Sequence, residues 1–195
     1  METSKSKLNM NLFFRLSVFG MLIGSVILNV ALAERLRNTN NKLNAMKTET
    51  SVSIGDTLPD IEAKNLDGSP VSISYSNDQR PTVLYVFSPS CGWCEKNLEN
   101  IKILSEQKGN NFRFVGLAIS NKNLLEYVAK ENWKFPVFTD PSPDTVMAYK
   151  LGGTPQTIVV SPDGKAIKNW SGAYMKNLQH DIEGYFQVSL PGIRE

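Results

Sequence analysis

Histidine and cysteine are scarce in this chain of 195 residues, which has one histidine, His180, and two cysteines, Cys91 and Cys94. That scarcity excludes a metal site built from several imidazoles and thiolates, and it excludes a small domain stapled by many disulfides. An excess of charge is missing too. The formal net charge is +2, and Lys5, Lys7 and Arg15 against Glu2 account for it within residues 1–33. The remainder is neutral and lacks the concentrated positive field that nucleic-acid binding requires, so no nucleic-acid partner is expected. No internal repeat or low-complexity tract is present. With 41% hydrophobic and 21% charged residues, wholesale disorder is excluded as well.

What is present begins with one long apolar run, LSVFGMLIGSVILNVALA, residues 16–33, bounded by Arg15 and Glu34. As a helix it reaches about 27 Å, close to the ~30 Å thickness of a bilayer's hydrocarbon core. Two fates fit it. The run exceeds the ~7–15 residues usual in a signal-peptide core, which favours a single uncleaved transmembrane helix. Ala31-Leu32-Ala33 also fits a signal-peptidase site, whose use would release a secreted protein. Basic residues ahead of the run hold residues 1–15 in the cytoplasm and send the rest across. Both fates leave the neutral part outside the cytoplasm. Residues 34–51 are polar, with sparse apolar positions at Leu36, Leu43 and Met46, and read as a tether. The folded domain is expected over 52–195.

Within that domain, strand and helix patterns alternate. Asp67-Gly68 signals a tight turn, followed by the alternation Val71-Ser72-Ile73-Ser74. TVLYVFS, 82–88, and FRFVGLAI, 112–119, are β-branched and aromatic runs suited to strands buried on both faces. Between them Cys94, Leu98, Ile101 and Leu104 form one helical stripe that stops near Gly109. Ser120 is placed to cap a helix carrying Leu124, Leu125 and Val128. Asp140-Pro141 leads to a short helix around 145–149. Residues 156–160 and 165–170 read as strands joined by the turn Ser161-Pro162-Asp163-Gly164, and a final helix spans 174–187. This order implies an α/β fold, a sheet with helices on both faces.

The chemistry concentrates in Cys91-Gly92-Trp93-Cys94, where a buried strand feeds a helix. Attack on a disulfide requires a thiolate, and an ordinary cysteine with pKa ~8.5 is mostly protonated at neutral pH. At a helix N-terminus, unpaired N–H groups and the helix dipole favour negative charge. Lowering the pKa from ~8.5 to ~7 amounts to about 2 kcal/mol of preferential thiolate stabilisation. Cys91 is therefore the expected nucleophile and Cys94, one turn deeper, the resolving thiol. A purely structural disulfide closing so short a loop removes little chain entropy. A zinc site wants about four ligands, and only His180 and carboxylates remain, so no metal is expected.

Gly152-Gly153-Thr154-Pro155 precedes a third apolar strand pattern. Pro155 is read either as a loop terminator at a strand edge or as the second residue of a cis Thr154–Pro155 bond. In the second case Thr154 presents backbone groups to an incoming extended chain.

At these residues the domain resembles the thioredoxin superfamily, in particular the membrane-tethered TlpA/ResA-like thiol–disulfide oxidoreductases of bacteria. The resemblance covers about residues 52–187. It rests on Gly55-Asp56-Thr57-Leu58-Pro59-Asp60, Leu66-Asp67-Gly68, Cys91-Gly92-Trp93-Cys94, Gly153-Thr154-Pro155 and Pro162-Asp163-Gly164. It implies a thioredoxin-like fold with a central mixed sheet, a redox-active Cys91–Cys94 disulfide, and Pro155 as a cis-proline. It implies no cofactor. The expected partners are thiols and disulfides of exported proteins and a membrane electron donor. Reduction of clients during maturation of exported cofactor proteins, such as c-type cytochromes or an amine-oxidising dehydrogenase, is the direction it favours.

The chain departs from that pattern in places. Members of the branch commonly carry a glutamate where Asn97 stands, and thioredoxin has a buried aspartate where Tyr85 stands. A carboxylate there assists proton transfer to the resolving thiol; without one, water, Glu95 or the client is left to do it. Ser90 precedes Cys91 where tryptophan is common, and Trp93 replaces a proline. Two other functions compete. A peroxiredoxin-like peroxidase calls for proline at 84 and threonine at 88, and the chain has Leu84 and Ser88. A copper-binding thioredoxin-fold chaperone calls for a three-residue gap between its cysteines and a histidine ligand; here the gap is two, and His180 reads as an exposed residue of the last helix.

Overall fold

A computed structural model describes residues 20–42 and 51–193. The chain divides into two units, Met1–Lys47 and Thr48–Glu195.

In the first unit a helix, α1, runs through residues 20–42, all exposed. The described part of the apolar stretch, from Gly20, and residues 34–42 of the polar segment thus form one continuous helix. Among the described residues, no helix is long and apolar enough to cross a membrane. Residues 16–19, where the apolar run begins, lie outside the described residues, as do 1–15 and residues 43–50 of the tether. What is described of the run extends from Gly20 and passes into Glu34, Arg35 and Arg37.

The second unit is built on seven strands: β1 Ile61–Lys64, β2 Pro70–Ile73, β3 Thr82–Phe87, β4 Arg113–Ala118, β5 Val137–Thr139, β6 Gln156–Val160 and β7 Ala166–Ser171. Their order across the sheet is β2-β1-β5-β4-β3-β6-β7. β3, β4 and β5 pair in parallel. β6 runs antiparallel to β3, as do β7 to β6 and β1 to both β2 and β5. The sheet is therefore mixed, with β4 at its centre, β3 beside it and every residue of β3 buried.

Because successive strand side chains point to opposite faces, β3 feeds two cores. Val83, Tyr85 and Phe87 join Cys94, Leu98, Ile101 and Leu104 of α2 (Gly92–Lys108), Leu124 of α3 (Leu124–Glu131), and Ile182 and Phe186 of α5 (Lys176–Phe186). Leu84 and Val86 join the opposite core with Leu58, Ile61, Tyr75, Ala148 of α4 (Pro143–Ala148) and its capping residue Tyr149. Helices cover both faces of a thioredoxin-like α/β sheet.

Three local expectations are corrected. Ser120 does not cap α3. The helix starts later, behind Asn123, whose φ of 58° places it in the left-handed region without a side-chain cap. The helix expected around 145–149 begins earlier, at Pro143, because Ser142 Oγ accepts the N–H of Thr145 at 3.1 Å and proline suits the first helical turn. β1 and β5 are additional strands. They have four and three residues.

The opening segment is tied to the far edge of the sheet. Gly55 N–H donates to the Ala166 carbonyl and Leu58 N–H to the Gly164 carbonyl, both at 2.8 Å. Gly164, with φ of 79° and its Cα facing the Leu58 carbonyl, is a position where a side chain would be both strained and crowded.

Candidate active site

β3 ends at Phe87, and the chain turns through Ser88–Ser90 into α2, with Cys91 as the N-cap residue at φ −90°, ψ 110°. The Ser88 carbonyl accepts the Cys91 N–H at 3.0 Å. Instead of the usual hydroxyl or carboxylate, a sulfur caps the helix: Cys94 N–H donates to Cys91 Sγ at 3.3 Å. The sulfur thus sits where the first unpaired N–H groups of a 17-residue helix point. Both cysteines are free thiols, Cys91 half-buried and Cys94 only 1% exposed.

These surroundings divide the two thiols. Burial works against ionisation of Cys91. Hydrogen bonds from the Cys94 thiol, the Thr154 side chain and the N–H groups of Cys94 and Trp93 outweigh it and hold Cys91 below its ordinary range. The Thr154 carbonyl, 3.5 Å from the same sulfur, accepts the thiol proton and works the other way. Burial pushes the Cys94 thiol up to about 12, and its hydrogen bond to Cys91 adds to that shift. One thiol is primed to ionise and its neighbour is held protonated.

The Thr154–Pro155 peptide bond is cis. It faces Cys91, and the Thr154 N–H bonds to no described residue. Beside it lies a groove of about 360 Å³ lined by Trp93, Thr154, Pro155, Gly172, Met175 and Leu178. Trp93 is 50% exposed, with Lys96 Nζ 4.9 Å from its ring centre. A Cβ on Gly92 would meet nothing within 4 Å beyond its chain neighbours.

Sequence reading singled out Cys91, Gly92, Trp93, Cys94, Thr154 and Pro155, and the structure brings all six together. It did not single out the groove's far wall, Gly172–Leu178, whose only signal was a glycine after a strand. Tyr85 and Asn97, at the family's acidic positions, are both buried, and Asn97 Nδ2 donates to Tyr85 Oη at 3.4 Å. Glu95 is exposed and lines a second cavity of about 250 Å³ with Pro89, Glu126 and Tyr127. His180 is exposed on α5, its Nδ1 3.5 Å from Glu183 Oε2. Among the described residues, no cluster of three or more His, Cys, Asp or Glu side chains is arranged to hold a metal ion.

Residues 53–182 match the Redoxin family. Among curated proteins, the chain is 26% identical over 160 residues to methylamine utilization protein MauD of Paracoccus denitrificans, covering 80% of this chain and 76% of that one. It is 23% identical over 199 residues to thiol-disulfide oxidoreductase ResA of Oceanobacillus iheyensis, covering 97% and 95%. Among solved structures, the thioredoxin domain of a thiol-disulfide oxidoreductase from Bacteroides vulgatus superposes with a TM-score of 0.56 at 19% identity, covering 70% of this chain and 99% of that one.

Proposed function

The chain belongs to the Redoxin family and is a thioredoxin-superfamily thiol–disulfide oxidoreductase, and on that premise we propose that it reduces disulfides of exported proteins through Cys91 and Cys94. The observation that carries the reading is the sulfur cap, Cys91 Sγ accepting the Cys94 N–H at 3.3 Å, with the second thiol buried one turn deeper.

The Cys91 thiolate attacks one sulfur of a client disulfide. A Cys91–client mixed disulfide forms, the client's S–S bond breaks, and the other client sulfur leaves as a thiolate. Two of the influences that raise Cys94 come from Cys91 itself, a hydrogen bond and its charge, and both are lost once Cys91 is bonded to the client. Cys94 therefore becomes more acidic when its thiolate is needed. It attacks Cys91 Sγ, closes the Cys91–Cys94 disulfide and releases the second client thiolate. Two electrons pass from the dithiol to the client, and a membrane electron donor returns them in a separate half-reaction. Trp93, Thr154 and Pro155 position the client, with the free Thr154 N–H available to an extended chain.

The proposed arrangement is a cytoplasmic N-terminus over 1–15, a transmembrane anchor over 16–33, a tether over 34–51 and the thioredoxin-like domain over 52–195. The anchor holds the domain on the outer face of the cytoplasmic membrane. The proposed clients are exported cofactor proteins, such as c-type cytochromes or an amine-oxidising dehydrogenase, and the similarity to a protein named for methylamine utilization supports the second of these. Expression of Cys94→Ser in intact cells tests the reading. It accumulates clients as mixed disulfides that a thiol reductant releases, whereas Cys91→Ser accumulates none. Equal capture by both variants, or none by either, contradicts it.

A further inference from the structure

Beside the two cysteines the core holds uncharged polar side chains that the exchange steps do not use. Asn97 and Asn100, on the buried face of α2 with Cys94, Leu98, Ile101 and Leu104, are both fully shielded from solvent. A carboxamide in an apolar core is costly unless its hydrogen bonds are met. Asn97 meets them in three directions. Its Oδ1 accepts the backbone N–H of Tyr174 at 2.9 Å and Asn100 Nδ2 at 3.2 Å, and its Nδ2 donates to Tyr85 Oη at 3.4 Å. The Tyr174 N–H can only donate, so the carboxamide has one workable orientation. Asn100 in turn brackets Gly192, accepting its N–H at 2.9 Å and donating to its carbonyl at 3.3 Å.

Tyr174 sits in the loop between β7 and α5. Its neighbours Ala173 and Met175 line the groove with Trp93 and Pro155. Gly172 N–H binds the Pro155 carbonyl at 2.8 Å, and the Tyr174 hydroxyl pairs with Thr157 Oγ1 at 2.8 Å, so the loop is fastened to β6. The Asn97 carboxamide is its hydrogen-bonded tie to α2, the helix that carries both cysteines. The loop that forms the groove's far wall is thus held to β6 on one side and, through the Asn97 side chain, to α2 on the other.

We propose that Asn97 is a positioning residue for protein clients: by tying the Tyr174 loop to α2 it sets the affinity for an extended chain in the groove and leaves the reactivity of Cys91 alone. This rests on the exchange activity proposed above. A small disulfide needs only the exposed sulfur, whereas a protein disulfide also needs the groove, so the two separate affinity from reactivity.

The test uses the full chain with two probes, insulin as the protein disulfide and hydroxyethyl disulfide as the small one. Asn97→Leu raises KM for insulin about tenfold, while kcat and the rate with hydroxyethyl disulfide stay within about twofold. If the leucine variant does not fold, the same split is required of Asn97→Ala. Asn97→Asp, which keeps an oxygen facing the Tyr174 N–H, returns KM to within about threefold of the original. A parallel fall with both probes, an unchanged insulin KM, or an aspartate variant as impaired as the leucine one overturns the proposal. Failure of the unsubstituted chain to reduce either probe overturns the exchange reading itself.

Discussion

The backbone N–H of Cys94 points at the sulfur of Cys91 from 3.3 Å. One contact links the resolving residue to the nucleophile before any substrate arrives, because the cysteine at the N-cap receives the hydrogen bond that a serine or aspartate takes in an ordinary helix. The same turn places Cys94 on the buried face of α2, out of water and one helical turn from Cys91. Asymmetry between the two thiols is thus built into one turn of helix.

Stability of the reduced protein depends on pH through Cys94. Its folded value, about 12, lies above the unfolded 9.0, so the unfolded state gives up its proton first as pH rises. The contribution is complete below about pH 9 and is lost progressively toward pH 12. Urea unfolding of the reduced chain shows a midpoint falling through that window, and Cys94→Ser flattens the fall. A midpoint independent of pH there is inconsistent with a buried protonated thiol.

Trp93 forms one side of the client groove. Trp93→Ala lowers kcat/KM for insulin about tenfold through KM, since exposed aromatic anchors carry a large share of binding energy. Alkylation of Cys91 by iodoacetamide remains within about twofold, because the tryptophan ring supplies no hydrogen bond to the sulfur. Steady-state kinetics with the two readouts check this.

On the opposite face, Tyr75 and Tyr149 pair through their hydroxyls at 2.5 Å, and the Tyr149 hydroxyl also donates to the Pro59 carbonyl. Tyr149→Phe strands both partners and costs about 1–3 kcal/mol. Tyr75→Phe leaves the Pro59 bond intact and costs less, about 1 kcal/mol. Denaturant unfolding of the two variants gives that order; the reverse order contradicts the donor assignment.

The proposed anchor predicts that the chain stays with the membrane after carbonate extraction and keeps its N-terminal residues. Recovery of a soluble form beginning at Glu34 instead establishes cleavage after Ala33.

Much of this architecture was legible because burial writes long signals. Residues 83–87 and 114–119 are unbroken apolar and aromatic runs, and they became the bulk of β3 and β4. The stripe from Cys94 to Leu104 became the buried face of α2, ending with Gly109 as the C-cap residue. β5, with three residues, is too short for a pattern, and in β1 the alternation covers only Ile61–Lys64. Ser120 misled as a cap because Asn123 tolerates the left-handed conformation that starts α3 without one. At the site, Cys91 and Cys94 were visible from spacing alone. The walls of the groove were not. Gly172, Met175 and Leu178 meet Trp93 and Pro155 only through the β6–β7 register, and a single sequence carries no mark of that pairing. Asn97 was noticed as a missing carboxylate, whereas its role as a hydrogen-bonding centre depends on a backbone N–H 77 residues away.

The most direct test of the central claim is the pH dependence of iodoacetamide alkylation at each cysteine of the reduced full chain, resolved by peptide mass. Cys91 reacts along a titration centred below that of an ordinary thiol, and the buried Cys94 stays protected to higher pH than Cys91. Two thiols titrating together near ~8.5, or Cys94 reacting first, contradicts the account.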